Sequence, residues 1–173
     1  TRCGLISILK EMGANIEVSN KIFKCGEKAG DLIVKSSQLK GINIGGDIIP
    51  NIIDEIPILS IAAACAEGIT KISDAKELRV KESDRLEAIG EGLNALNVKY
   101  SLYDDGISIT GGIPETDDLI EIDSFGDHRI AMSFLISSLK IGGGVCVKDC
   151  KNIYTSYPNF VQTMNDLGME ISE

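Results

Sequence analysis

Apolar and polar positions along the chain follow two spacings, which predict an ordered series of helices and strands. Helical spacing over residues 5–12 stops at Gly13. Alternation over residues 16–18 predicts a strand, and residues 22–23 are expected in its hairpin partner. Further extended runs are predicted at residues 32–34, 42–44, 69–72, 98–102, 107–110, 119–122 and 145–147.

Two of the predicted helices are apolar on nearly every side. The first runs to Glu67, with Asp54 as its expected N-cap and Pro57 in its first turn. The second opens at Gly126-Asp127-His128-Arg129 and continues to Leu139. A helix without a polar face has to be surrounded by protein. We therefore expect both helices in the interior, with the charged groups at their starts lying at the edge of the core. A last helix is predicted to start at Ser156-Tyr157-Pro158.

The densest charge cluster of the chain is the segment Arg79-Val80-Lys81-Glu82-Ser83-Asp84-Arg85. Asp84 is a good N-cap for the amphipathic helix that follows. Lys81 and Glu82 then lie in the loop ahead of that helix, and Arg85 lies in its first turn, where a cation opposes the helix dipole. The segment is either a solvated helix start with local ion pairs or part of an anion-binding site.

The end of a helix, followed by a strand, recurs along the chain with stops at Gly13, Asn97 and Gly168. This repeat predicts an α/β (α+β) fold in which copies of a β-α-β unit pack with buried helices inside and sheets outside. The polar helix starts would then open on a common face. The residues brought together there would be Asp54, Lys81, Glu82, Arg85 and Arg129.

Length and composition narrow the class of protein. The chain has 173 residues, 43% of them hydrophobic and 25% charged, as in an ordinary globular domain. Its net charge of −9 argues against a nucleic-acid partner or a basic membrane-binding surface. No apolar run approaches the ~20 residues of a membrane span, and no signal-peptide pattern opens the chain. We expect a cytoplasmic location.

The cysteines indicate neither a disulfide framework nor a metal centre. There are five, an odd number, and they lie mostly in apolar runs. Cys146-x-x-x-Cys150 has no nearby His or second cysteine pair that would complete a zinc site. We expect reduced, buried thiols and no bound metal.

Three segments resemble the motifs of the enolpyruvyl transferases in order and spacing. They are Ile53-Asp54-Glu55-Ile56-Pro57, Arg79-Val80-Lys81-Glu82-Ser83-Asp84-Arg85 and Gly126-Asp127-His128-Arg129-Ile130-Ala131-Met132. The resemblance runs through essentially the whole chain, from Thr1-Arg2 to Pro158. It is strongest to the branch of the family that acts on shikimate 3-phosphate.

The resemblance implies a lobe built from three βαβαββ units. Family members have two such lobes, which close on the substrates. The chain starts with Thr1 inside a helical pattern and is expected to be a fragment. Residues 1–173 are expected to form a single domain, the carboxy-terminal lobe, without the amino-terminal lobe and without the short amino-terminal strand that crosses back into this one. Such a lobe is expected to fold alone but to be inactive.

The implied reaction moves the enolpyruvyl group of phosphoenolpyruvate onto the 5-hydroxyl of shikimate 3-phosphate and releases phosphate, in the biosynthesis of aromatic amino acids. The resemblance implies that no metal or organic cofactor is needed. It assigns Asp54 as the base for the hydroxyl and as a ligand of the shikimate hydroxyls, and Glu82 as the acid that delivers a proton to carbon. Lys81 would contact shikimate 3-phosphate, and Arg85 and Arg129 would bind phosphoenolpyruvate.

Each of these residues also has a plainer interpretation. Asp54 could serve only as a helix cap, Glu82 could pair with a neighbouring cation, and Arg129 could be a surface charge. His128, the only histidine, is either a structural hydrogen-bonding group or lies beside the site. Some family members carry a lysine before the Ser/Thr-aromatic-Pro segment; Thr155 occupies that position here, so no phosphoenolpyruvate contact is assigned to it.

Two other functions stay open. A related enzyme with the same fold transfers enolpyruvate to a UDP-sugar, although the segment Lys81–Arg85 fits the shikimate branch better. A non-catalytic ligand-binding or assembly module is the second alternative. Such a module would have no reason to keep a base, an acid and two arginines suited to anions.

Overall fold

The computed structural model describes residues 3–172, so Thr1 and Arg2, which open the family resemblance, lie outside the described residues. The helices are α1 (Gly4–Glu11), α2 (Ile49–Ile52), α3 (Ile56–Ala64), α4 (Arg85–Ala95), α5 (His128–Ser137), α6 (Ile153–Ser156) and α7 (Phe160–Asp166). Short 3₁₀ turns cover Gly46–Ile48, Ile53–Glu55, Lys76–Val80 and Ser138–Lys140. The strands are β1 (Asn15–Lys24), β2 (Glu27–Lys35), β3 (Asn43–Ile44), β4 (Ile69–Ile72), β5 (Tyr100–Tyr103), β6 (Gly106–Thr110), β7 (Ile120–Asp123) and β8 (Val145–Lys148).

The first sheet is a hairpin of β1 and β2, and here the sequence prediction was wrong. Residues 22–23, expected in the partner strand, belong to β1 itself, and β2 contains the run at 32–34. The pairing register shifts between Ser19 and Ile22, where Asn20 has a φ of +48°. Asn adopts this left-handed conformation more readily than most residues, and its side-chain amide donates to Asp31 at 2.6 Å. The apparent break in the pattern is therefore an irregularity within one long strand.

The remaining strands form two sheets around a helical interior. The second sheet has the order β3-β4-β6-β5, with β3 and β4 parallel and the other pairs antiparallel. The third sheet pairs β7 and β8 in parallel. Helices α3, α4 and α5 contact one another between these sheets. The structure thus confirms a mixed helix-and-strand fold with its central helices buried.

The two nearly all-apolar helices occupy this interior. In α3, Ile56, Leu59 and Ala63 have no exposed surface. In α5, Ile130 and Phe134 face the main core, and the opposite side packs against a smaller apolar cluster that includes Ile153. These contacts explain why neither helix needs a polar face.

The repeated helix ends share one capping geometry. Gly13, Asn97 and Gly168 have φ values of +99°, +55° and +97°. In each case the next N–H donates to the carbonyl five residues back, at 2.8 Å for Ala14, 2.9 Å for Val98 and 3.0 Å for Met169. Within the described residues a strand follows only the first two ends. After the third, the Asn165 side chain bonds both backbone groups of Ile171 instead.

Two further expectations were wrong. The last helix does not start at Ser156: α6 ends there, and α7 begins at Phe160. Pro158 disfavours helical backbone at Tyr157, which has a φ of −141° and a ψ of +80°. The cysteines are free, as expected, but Cys3, Cys25, Cys65 and Cys146 are exposed rather than buried. Cys146, for example, is on the outer face of β8, where side chains alternate between the two faces of the strand.

No helix within residues 3–172 combines the length and the apolar character needed to cross a lipid bilayer.

Close packing between α4 and α5 leads to a first prediction. A Cβ atom built on Gly92 would lie 2.1 Å from Cζ of Phe134, whose side chain is 1% exposed. We expect Gly92→Ala to lower the free energy of unfolding by about 1–3 kcal/mol through overpacking, although alanine favours the helix. Glu91→Ala, at an exposed position of the same helix, should change it by less than about 0.5 kcal/mol. Urea unfolding measures both, and equal stability of the two variants would show that the Phe134 ring has room to move.

Candidate functional site

Three helix starts converge on one face of the helical interior. Asp54 lies in the 3₁₀ turn ahead of α3, Lys81 and Glu82 lie in the loop ahead of α4, and Arg129 lies in the first turn of α5. The structure therefore brings together the residues that the sequence placed on a common face. The contacts between them differ from those expected.

The sequence predicted Asp54 as the N-cap of α3, and this prediction was wrong. The N-cap position belongs to Glu55, because a 3₁₀ turn over Ile53–Glu55 precedes the helix. The Asp54 carboxylate turns instead to the cations of the cluster. Its Oδ1 atom lies 3.2 Å from Nη1 of Arg85 and 3.8 Å from Nζ of Lys81.

Arg85 is the buried centre of the cluster, with 1% of its surface exposed. Its Nε donates to Oδ2 of Asp127 at 2.7 Å, its Nη1 to Oδ1 of Asp54 at 3.2 Å, and its Nη2 to Oε2 of Glu82 at 2.6 Å. A cation in the first turn of a helix is unfavourable on its own. Here three carboxylates, from three separate segments of the chain, offset that cost.

Asp127 holds Arg85 and also caps α5. Its Oδ1 atom accepts from the backbone N–H of Arg129 at 2.8 Å and of Ile130 at 3.4 Å. Burial by itself raises the pKa of the Asp127 carboxyl. The hydrogen bond and charge of Arg85, together with the two N–H groups, lower this pKa by more than burial raises it, so it lies below the ordinary value of 3.8. Asp127 is therefore ionised at neutral pH.

The sequence predicted a helix start at Gly126-Asp127-His128-Arg129 but missed the pairing of Asp127 with Arg85. The available signal was a capping carboxylate at the start of an apolar helix, together with a cation of unexplained position at the start of another. A fully buried N-cap leaves its charge to be balanced from elsewhere in the fold. Arg85 supplies that balance.

Glu82 and Lys81 differ in how much of the side chain is exposed to solvent. The Glu82 side chain is 52% exposed and binds Arg85, not Lys81 or Arg79. Lys81 donates to Glu77 and faces Asp54. Glu82 is thus open to solvent on one side, whereas Lys81, with 21% of its side chain exposed, lies deeper.

Arg129 contacts both the backbone and the carboxylate of Asp54. Its Nη1 donates to the backbone carbonyl of Asp54 at 2.9 Å and lies 3.8 Å from Oε1 of Glu55. One third of the side chain (32%) stays exposed. The guanidinium of Arg129 is therefore held by Asp54 and Glu55, while part of the side chain stays accessible to solvent.

The structure also describes three other residues considered from the sequence, namely His128, Asp84 and Thr155. His128 opens α5 beside Asp127 and is half-buried, and its site-adjacent role stays a prediction. Asp84 caps α4, accepting from the N–H of Glu87 at 3.1 Å, as predicted. The Thr155 hydroxyl donates to the carbonyl of Asn152 at 2.9 Å, within α6 and its cap.

The cluster combines the groups needed for proton transfer next to anions. Two carboxylates, Asp54 and Glu82, bind the same guanidinium, and Lys81 lies near Oδ1 of Asp54 whereas Arg129 lies near its Oδ2. Carboxylates can take or give protons, and the cations can bind carboxylate or phosphate groups. Across residues 3–172 no three His, Cys, Asp or Glu side chains are arranged to hold a metal ion.

Comparisons with known proteins agree with the resemblance in sequence. The family model described as EPSP synthase (3-phosphoshikimate 1-carboxyvinyltransferase) matches residues 1–164. A protein of that name from Legionella pneumophila (strain Paris) is 49% identical over 100% of this chain, and one from Vesicomyosocius okutanii is 46% identical over 99%. The chain spans about 39% of the length of these curated relatives.

Solved structures give the same result for the fold. EPSP synthase from Acinetobacter baumannii superposes with a TM-score of 0.91 at 41% identity, over 98% of this chain and 40% of that one. The enolpyruvyl transferase NikO from Streptomyces tendae superposes with a TM-score of 0.70 at 20% identity, over 98% of this chain and 36% of that one. The second match extends the likeness of fold to a more distant protein.

Proposed function

This chain belongs to the EPSP synthase family, and we propose that it is the carboxy-terminal lobe of an enzyme that transfers the enolpyruvyl group of phosphoenolpyruvate to the 5-hydroxyl of shikimate 3-phosphate. The observation that carries the proposal is the cluster around Arg85, in which one buried guanidinium holds both Asp54 and Glu82. A base and an acid held about one guanidinium are suited to adding a hydroxyl across a double bond.

In the proposed reaction, the oxygen of the 5-hydroxyl attacks the substituted carbon of phosphoenolpyruvate, and Asp54 accepts the proton of that hydroxyl. Glu82 gives a proton to the methylene carbon, which becomes a methyl group. Loss of phosphate then restores the double bond and returns one proton from that methyl group to a base. The half-exposed position of Glu82 leaves room for the methylene carbon beside it.

Anion binding is proposed for the three cations of the cluster. Lys81 and Arg129 are held by carboxylates on one side and can each turn toward a substrate anion. Lys81 is proposed to contact shikimate 3-phosphate, and Arg129 phosphoenolpyruvate. Arg85 is already bound by three carboxylates, so it would bind phosphoenolpyruvate as Glu82, the most exposed of the three, turns toward the methylene carbon.

The rest of the protein is proposed to supply the second half of the site. The chain covers about two fifths (39%) of the length of its relatives, and the three cations of this face are already paired with carboxylates. Closure of a second lobe would exclude water and set the reacting groups in place. We expect the 173-residue chain to show no turnover by itself.

A phosphate-release assay tests the proposal on the full-length protein that carries this chain. We expect release that depends on both phosphoenolpyruvate and shikimate 3-phosphate, and none when a UDP-sugar replaces the latter. Release with the UDP-sugar alone would assign the protein to the cell-wall branch of the fold. Absence of release with either acceptor, from a folded protein, would support a non-catalytic binding module.

A further inference from the structure

Arg79 connects the loop ahead of α4 to the turn between β5 and β6. Its Nε donates to the carbonyl of Asp104 at 2.8 Å and its Nη2 to the carbonyl of Tyr103 at 2.7 Å. Its Nη1 donates to Oδ2 of Asp84, the N-cap of α4, at 2.8 Å. One guanidinium thus joins the hairpin turn, the loop and the helix start.

The loop that Arg79 holds has few apolar contacts of its own. Leu78 is fully buried ahead of it, but the side chain of Val80 is among the most exposed of the large apolar residues, at 80%. The next residue, Lys81, has extended backbone, with a φ of −84° and a ψ of −155°. Polar bonds therefore decide where Lys81 and Glu82 lie, because burial does not.

The described partners of Arg79 are not members of the cluster around Arg85. The bonds of Arg79 run to the hairpin turn and to Asp84, and its other described ion pair, at 3.9 Å, is with Glu87 of α4. Its spatial relation to the cluster is therefore indirect: it fixes both ends of the short segment that contains Lys81 and Glu82. Lysine could not replace it, because a single ammonium group lacks the planar fork that reaches three separate acceptors.

We propose that Arg79 is a positioning residue, which holds the loop of Lys81 and Glu82 against the β5–β6 turn so that Glu82 stays within reach of the reacting carbon. The inference rests on the proposed function. It adds a residue that touches neither substrate and acts through the acid. A misplacement of about 1 Å in a catalytic group can cost about 10²-fold in rate, so loss of this connection should be visible in kcat.

The test is a double-mutant cycle in the full-length protein, with Arg79→Gln, Glu82→Gln and the double variant. We expect Arg79→Gln to lower kcat by about 10-fold or more when Glu82 is present, but by less than about 2-fold in the Glu82→Gln background, because residues that act through one another are not additive. Arg79→Lys should lie close to Arg79→Gln. Lys148→Gln, which removes an exposed cation paired with Glu121, should leave kcat unchanged.

Hydrogen exchange of residues 80–84 gives a second readout that needs no turnover. We expect faster exchange there in Arg79→Gln than in the parent, with exchange in α3 unchanged. Additive losses of kcat, full activity of Arg79→Lys, or unchanged exchange in the loop would each overturn the proposal. A parent without turnover would instead reject the proposed function, and the exchange measurement would still decide whether Arg79 holds the loop.

Discussion

Asp54→Asn and Glu82→Gln are each expected to lower kcat of the full-length protein by about 10²-fold or more, the scale of general acid–base catalysis. Both changes keep the size of the side chain and remove its ability to exchange a proton at neutral pH. Arg85 keeps Asp127 as a partner in either variant, at 2.7 Å, so the cluster should stay in place. The measurement is phosphate release with saturating shikimate 3-phosphate and phosphoenolpyruvate.

Glu91→Gln is the matched control, because it removes a carboxylate from an exposed position on α4, and its kcat should stay within about twofold of the parent, as is typical for a surface change. Turnover that survives both Asp54→Asn and Glu82→Gln would keep the family but reject the assignment of base and acid. Loss in only one of the two would assign a single proton-transfer residue to this lobe.

Asp127→Asn is expected to have the largest effect on stability, lowering the free energy of unfolding by about 3–5 kcal/mol at pH 7, the cost of removing one partner of a buried ion pair. Because Asn can still cap a helix, the decrease in the free energy of unfolding measures the loss of the charge that balances Arg85. Asp84→Asn is the matched control: Asp84 also caps a helix and pairs with an arginine, but its side chain is 38% exposed. Its change should stay below about 1 kcal/mol. Urea unfolding of the chain measures both.

The ion pair of Asp127 and Arg85 also makes the stability of the fold depend on pH in a defined direction. The pKa of Asp127 is lower in the folded protein than its ordinary value of 3.8. Its contribution to stability is therefore complete above about pH 4 to 5 and is lost as the pH falls through the folded pKa. The difference between the parent and Asp127→Asn should shrink in that acidic range. A difference that stays constant down to pH 2 would show that the charge of Asp127 is not what stabilises the fold.

Local structure could be predicted from the sequence wherever neighbours along the chain decide it. Asp84 and Asp127 cap their helices through N–H groups two or three residues away. Gly13 and Asn97 end theirs in the left-handed conformation. The order and spacing of the three motifs along the chain also indicated the family, because this pattern can be recognised without knowing how far apart the motifs lie in space.

The prediction failed where a pattern allowed two local geometries. The polar residues after Val18 suggested the end of a strand, but β1 continues through a change of register at Asn20. Asp54 had the chemistry of a helix cap, but a 3₁₀ turn moved the cap position to Glu55. In the first case the left-handed conformation of Asn20 lets β1 go on pairing with β2. In the second case the Asp54 carboxylate pairs with Arg85, 31 residues away along the chain.

The sequence by itself determined the starts of α4 and α5, the helix ends at Gly13 and Asn97, the buried character of α3 and α5, and the set of charged residues ahead of α3, α4 and α5, because each depends on composition and on contacts within a few residues. Only the tertiary structure decided that Arg85 is buried among Asp54, Glu82 and Asp127, and that Arg79 reaches Tyr103 and Asp104. Asp54 and Asp127 are 31 and 42 residues from Arg85 along the chain. Their approach depends on how α3, α4 and α5 pack, and the burial of those helices is what makes a shared guanidinium the favourable way to balance the charges.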